Sequence, residues 1–471
     1  MERRTLGQAA LGALAAAVMM LALSGYTVDD ALITARVATR LAHGEGYRFN
    51  TGGPRVDAVT PLGYANLLAL VAGATPLETL ARARLLGALA WLLAAAGLGV
   101  GLARVGRGSA EPGALRFAPL LALALSAPLG AWAVSGMETG WVTALATAAL
   151  LPGSGGWLAA GLAAAWRPEL LPWALTLAVG SALVARAPPA RVLAAASLAL
   201  APALAVAGVR AALFGSPAPL AALAKPADLE HGLRYALGAL ALTGPPWLVL
   251  APRGLARLAP RLRVVVAAAG AHFAALALAG GDWMALYRLA VPVLPGLLLV
   301  GAALARVTPW WATALRLAAT LAVEGLVLIG LGPSAARVTE RRAALIASAR
   351  PVLAGARRVA AVDVGWVGAA TPTDVVDLAG VTDREVARLP GGHTSKRLPE
   401  RFLEARGVDA LVLLIAPGEP LREPWWTSRF APYAVDARVA ALAADAGFRA
   451  VATLPLPGTR QRYLIARRAS P

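Results

Sequence analysis

The chain has 471 residues, 58% of them hydrophobic and 15% charged, with a mean hydropathy of +0.64. That balance excludes an ordinary soluble globule and points to an integral membrane protein; the lack of cysteine excludes disulfides, thiol catalysis and cysteine-ligated metal centres. The net charge of +18 would suit nucleic acid, but lysine occurs only at Lys225 and Lys396, and many of the arginines fall in short gaps between apolar runs, where membrane lipids and insertion bias account for them, so nucleic-acid binding is excluded.

In chain order, Leu6 to Tyr26 is uncharged and matches the roughly 20 residues that cross a bilayer. It is longer than the apolar part of a secretory signal, so it reads as an uncleaved first helix. Asp29 and Asp30 follow at its exit, where carboxylates meet the lipid–water boundary. Further apolar runs recur at about 60–76, 85–103, 117–134, 139–151, 157–166, 169–185, 191–213, 233–251, 264–280, 286–305 and 309–332. The 60–76 run is short, bounded by Pro61 and Pro76 and interrupted by Gly63, Asn66 and Gly73. It reads as an interfacial or re-entrant helix rather than a span.

Leaving that run outside predicts about eleven transmembrane helices, with the amino terminus cytoplasmic and the carboxyl terminus extracytoplasmic. The inner gaps then hold Arg3 and Arg4, Arg104, Arg107 and Arg116, Arg186 and Arg191, Arg253, Arg257, Arg261 and Arg263, and Arg306, with only Glu2 and Glu111 as acids. Asp29, Asp30, Asp57, Glu138, Glu169 and Asp282 fall in the opposite set. Counting the 60–76 run as a span would turn every later basic cluster outward, against the positive-inside rule. From about Pro333 the pattern becomes that of a small α/β domain, with strands expected at 359–367, 374–378, 408–415 and 460–465 and helices at 383–389 and 434–446. The expected architecture is thus a multi-pass α-helical membrane domain, residues 1–332, with interfacial helices in its first outer loop, followed by a soluble extracytoplasmic α/β domain, residues 333–471.

The outward polar groups are few. They are the aspartate pair, Asp57, Glu138, the Arg167-Pro168-Glu169 break, Lys225 in a loop, and Asp282, Trp283 and Arg288 between two late apolar runs. Ionisable groups at membrane depth are costly and by default suggest function. Carboxylates and cations together suit a reaction in which a phosphate leaves a sugar: a carboxylate takes the proton of the incoming hydroxyl, and cations stabilise the departing oxygen.

Val28-Asp-Asp-Ala-Leu-Ile-Thr-Ala-Arg36, Leu41-Ala-His-Gly-Glu-Gly-Tyr-Arg-Phe-Asn50 and Arg55-Val-Asp57 resemble the opening of the GT-C glycosyltransferases, multi-pass enzymes that use polyprenyl-phosphate sugars. The nearest likeness is to the bacterial terminal β-(1→2)-arabinofuranosyltransferase group. Ser135-Gly-Met-Glu138, Arg167-Pro-Glu169, Lys225, Gly281-Asp-Trp-Met284 with Arg288, Asp363-Val-Gly365 and Gly391-Gly-His-Thr-Ser-Lys-Arg397 extend the likeness almost end to end. The resemblance implies a bacterial inner-membrane enzyme with a GT-C-like fold and an active site facing the periplasm. Its donor would be a polyprenyl-phosphate sugar, arabinofuranose by the nearest likeness, and its acceptor a cell-envelope glycan or glycolipid. Asp29 would be the general base, with Asp30 sharing that role or binding a divalent cation (Mg²⁺, Mn²⁺ or Ca²⁺) together with Glu138. Lys225 and Arg288 would contact the lipid phosphate, and Asp57, Arg167, Glu169, Asp282 and Trp283 would line the substrate site. One acid in the second outer loop, where many GT-C enzymes place two, departs from the pattern and leaves metal dependence open. The competing readings are a lipid-linked-sugar flippase, for which repeated halves are expected and none is visible, and a polysaccharide ligase or polymerase.

Overall fold

The computed structural model describes residues 3–106, 115, 117–456 and 459–468. Glu2, Arg107, Glu111 and Arg116 lie outside the described residues. The chain divides into two compact units, one of residues 1–27, 84–208 and 227–336, the other of residues 28–83, 209–226 and 337–471.

The first unit is helical. Among the described residues, six helices are long and apolar enough to cross a membrane: Arg3–Ala22, Pro76–Val105, Pro189–Phe214, Pro260–Ala279, Ala285–Leu304 and Trp310–Leu353. The protein is therefore a membrane-associated helical protein with a C-terminal domain. The expected eleven spans are not recovered, and proline explains much of the difference. The 117–134 run is divided into Ala118–Ala124 and Ala127–Ala133, each with proline in its first turn. Pro168 ends Ser154–Trp166 before Leu171–Val184 begins. Thr139–Ala148 has ten residues, about half a bilayer. Proline lacks the N–H that a continuing helix needs and clashes with the preceding turn.

Packing in this unit relies on small side chains. A Cβ added at Gly12 would lie 2.2 Å from the Ala95 carbonyl oxygen and 2.8 Å from the Gly99 Cα, so Arg3–Ala22 and Pro76–Val105 touch backbone to backbone. Such close approach is how helices associate where lipid removes the hydrophobic driving force. The buried core is mostly Ala and Leu, with Trp157, Trp173, Tyr235 and Phe273 as its large members.

The second unit is built on a five-stranded sheet ordered β2-β1-β3-β5-β4, with β1 Arg358–Ala361, β2 Asp374–Asp377, β3 Ala410–Ile415, β4 Phe448–Pro455 and β5 Arg462–Arg468. β1 runs parallel to β2 and β3, pairing Val359 with Val375 and Ala410. β5 runs antiparallel to β3 and to β4. The central strand, Ala-Leu-Val-Leu-Leu-Ile, is buried throughout, as its unbroken apolar run requires. Ala434–Ala444 packs on one face, where Val435 and Val439 join Leu411, Leu413 and Leu464.

This unit is not confined to residues 333–471. Helix Asp29–Ala42 packs against Leu62–Ala69 and against Val364–Ala370, and Leu220–Ala224 packs on Arg384–Ala387. Arg36, 2% exposed, ties the early helix down by donating to the carbonyls of Phe49 at 2.8 Å and Gly368 at 2.5 Å. Leu62–Ala69, from the 60–76 run, is eight residues long and too short to span.

Candidate active site

Val28 enters helix Asp29–Ala42 in extended conformation, so Asp29 and Asp30 occupy the first turn, where the unpaired N–H groups and the helix dipole favour acids. Asp29 is held by three donors. Its Oδ1 accepts from Arg342 Nη1 at 2.8 Å and from the Trp366 N–H at 2.9 Å, and its Oδ2 from the Gly365 N–H at 2.7 Å. Position 365 admits only glycine: a Cβ there would lie 2.2 Å from the Asp29 carbonyl oxygen and 2.6 Å from Oδ2.

Asp363 is the second acid of this cluster, half-buried like Asp29. Its Oδ1 accepts from the Tyr433 hydroxyl at 3.0 Å and its Oδ2 from the Tyr463 hydroxyl at 2.5 Å. Burial pushes the Asp29 carboxyl up to about 7, helped by the charges of Asp363 and Asp30 and opposed by Arg342 and the Gly365 N–H. Burial raises Asp363 as well, against the two tyrosine hydroxyls. Like charges in a dry setting cannot all ionise at once, so the cluster holds a proton near neutrality. Asp30 is half-buried, and its backbone carbonyl accepts from Thr34 at 3.2 Å. Among the described residues no donor is assigned to the Asp30 carboxylate.

A cation fits this cluster poorly. The oxygens of Asp29 and Asp363 already accept from N–H groups, a guanidinium and hydroxyls, and no group of three His, Cys, Asp or Glu is placed to hold a metal among the described residues.

Two other expected residues lie in this unit. Asp57 accepts from Arg210 Nε at 2.8 Å, both side chains being buried, and Arg210 also donates to the Thr60 carbonyl; the pair fastens the 57–60 segment to Val209–Pro226. Lys225 follows Leu220–Ala224 and is half-exposed.

The first unit holds the remaining expected residues in two groups. At the Pro168 break, Arg167 bridges Glu138 at 3.0 Å and Glu169 at 2.7 Å. Glu138 is fully buried. His272 anchors the same break, with Nδ1 3.1 Å from the Glu169 carbonyl oxygen and Nε2 2.8 Å from that of Leu289. In the second group, Asp282 pairs with Arg288 at 2.9 Å, both buried. Arg288 lies over Trp132 at 5.8 Å, and Trp283 stacks on His231 with centroids 4.0 Å apart. Between Asp282 and Arg288 the backbone turns through Leu286 and Tyr287, both at positive φ. Two left-handed non-glycine residues in succession cost about 1–2 kcal/mol each, and strain of that kind clusters at functional sites.

The sequence placed Arg167 beside Glu169 and put Asp282 and Arg288 in one loop, but it grouped Glu138 with Asp30 and did not anticipate the Arg167–Glu138 and Asp282–Arg288 ion pairs. It did not anticipate Arg342, Tyr433 and Tyr463. Asp363-Val-Gly365, a motif of the resemblance, lies in the Asp29 pocket, but nothing in its sequence linked it to Asp29.

Residues 337–466 match a family model described as a domain of unknown function (DUF8728). No curated protein and no solved structure matches the chain.

Proposed function

We propose that this protein is a membrane glycosyltransferase of the GT-C type, moving a sugar from a polyprenyl-phosphate donor, arabinofuranose by the nearest resemblance, to a cell-envelope glycan or glycolipid. The reading rests first on Asp29, a half-buried carboxyl at a helix start whose proton affinity is raised to about 7, close to the ideal for a general base at physiological pH. It rests also on the ordered sequence likeness that surrounds it.

In the proposed reaction the acceptor hydroxyl gives its proton to the carboxylate of Asp29 while its oxygen bonds the anomeric carbon. The bond from that carbon to the phosphate oxygen breaks with inversion, and the polyprenyl phosphate leaves with the electron pair. Lys225 and Arg288 stabilise the departing charge. Arg342 and the Gly365 and Trp366 N–H groups hold Asp29 in place throughout. No step requires a cation. The active face is proposed to lie on the extracytoplasmic side of a bacterial inner membrane, as the partition of acids and arginines along the chain supports.

The deciding experiment is sugar transfer from a synthetic polyprenyl-phosphate arabinofuranose by purified protein, comparing wild type, Asp29→Asn and Asp30→Asn. Loss of a base typically costs 10²–10⁴-fold, and Asp29→Asn is expected to fall in that range. Wild-type turnover by Asp29→Asn would remove it as base, and no transfer by the wild type from any prenyl-phosphate sugar would remove the reading.

A further inference from the structure

The second unit carries two cavities away from Asp29, of about 850 Å³ and 460 Å³, that share Arg55, Val56, Arg384 and Arg388 as lining. Their characters differ. The larger is lined about evenly by polar and apolar surface, and its acids are Asp374, Asp383 and Glu385. The smaller is walled by Val56, Phe214, Pro219, Leu220 and Leu223 and holds one acid, Asp57.

The acids of both cavities are all accounted for by other arginines. Asp374 pairs with Arg358 at 3.2 Å, Asp383 and Glu385 with Arg406, and Asp57 with Arg210 at 2.8 Å. Among the described residues no carboxylate pairs with Arg55, Arg384 or Arg388. Arg384 donates to the Phe214 carbonyl at 2.8 Å, a neutral acceptor, while Arg55 and Arg388 are exposed. Three guanidiniums without a paired carboxylate among the described residues therefore sit where an acid-bearing cavity meets a mostly apolar one.

Phe214, on the apolar wall, is the last residue of a helix long and apolar enough to cross a membrane. An apolar hollow at the end of such a helix opens where acyl or prenyl chains meet their headgroups. Arginine forks match phosphate oxygens in pairs. We propose that this groove binds a phosphate-bearing membrane lipid, its phosphate held by Arg55, Arg384 and Arg388 and the start of its chain lying against Phe214, Leu220 and Leu223. A sugar-transfer reaction is not needed for this site to exist.

The test is equilibrium binding to the full chain in a neutral, phosphate-free detergent. The probes are dioctanoyl phosphatidylglycerol, farnesyl phosphate, dioctanoylglycerol and inorganic phosphate. At least one phosphate lipid is expected to bind about ten-fold or more tightly than either dioctanoylglycerol or inorganic phosphate, and Arg55→Gln with Arg388→Gln is expected to weaken it about ten-fold. Both substituted residues are exposed, so folding is preserved, and an unchanged melting temperature checks this. The tighter of the two lipids names the source, a bilayer phospholipid or a prenyl phosphate. Equal affinity in the double variant, or inorganic phosphate binding as well as the lipids, would overturn the proposal. The readout is binding alone, so its failure leaves the transfer reading standing, and loss of transfer in Asp29→Asn leaves this one standing.

Discussion

Asp29 links stability to activity with opposite signs. The folded protein holds a proton on this carboxyl up to about pH 7, whereas the unfolded chain releases it in the ordinary carboxylate range near 4. Between those values the folded state binds more protons, so stability falls as pH rises through the window. A base must be unprotonated, so transfer rises through the same window and levels off above about 7. Asp29→Asn is expected to flatten the fall in melting temperature between pH 5 and 8 while abolishing transfer, measured by thermal unfolding and by rate on one protein preparation. An unchanged slope would assign the titration to another group. Arg167 makes a different case, because its pair with fully buried Glu138 leaves an uncompensated charge if one partner is removed. Arg167→Ala is expected to cost about 3–5 kcal/mol. Combining Arg167→Met with Glu138→Gln and Glu169→Gln should restore most of that stability without restoring activity, if the trio also serves the substrate.

At the scale of elements, β2 and the helix over 434–446 were legible because their patterns are local: a four-residue apolar–polar edge in one, a 3.6-residue period in the other. The strand expected over 359–367 stops at Ala361. The chain then turns into Val364–Ala370, whose first N–H groups are taken by Asp29, a partner more than three hundred residues away that no local window contains. β4 was missed because its burial does not alternate cleanly and its pairing shifts at Ala450 to Ala452. The same long-range contact makes Gly365 the sharpest test of the pocket. Gly365→Ala puts a Cβ against the Asp29 carbonyl and carboxylate and is expected to destabilise by about 1–3 kcal/mol, as overpacking does, and to reduce transfer beyond what the loss of folded protein explains. Gly270→Ala, in helix Pro260–Ala279 with nothing within 4 Å, should be neutral or slightly stabilising.

For the whole molecule, the second unit constrains the membrane topology more tightly than hydropathy does. Its three segments, 28–83, 209–226 and 337–471, form one compact body, so a topology that leaves them in water must place them on one side. The chain between 226 and 337 must then cross the bilayer an even number of times. Three full-length helices begin there, Pro260–Ala279, Ala285–Leu304 and Trp310–Leu353, so an even count needs a fourth passage. Leu229–Leu242 supplies it if the chain continues through Thr243, Gly244, Pro245 and Pro246, all buried, into Pro245–Leu248; broken backbone is tolerated at membrane depth when it is buried in protein. The two full-length helices between 83 and 209 already satisfy the same parity. The positive-inside rule expects Arg253, Arg257, Arg261 and Arg263 on the cytoplasmic side. The chain has no cysteine, so single introduced cysteines report sidedness without background. A membrane-impermeant maleimide applied to intact cells is expected to label Gly392→Cys and Trp283→Cys, and to reach Arg257→Cys only after permeabilisation. Labelling of Arg257→Cys and Gly392→Cys from the same side would show that Leu229–Leu248 does not cross.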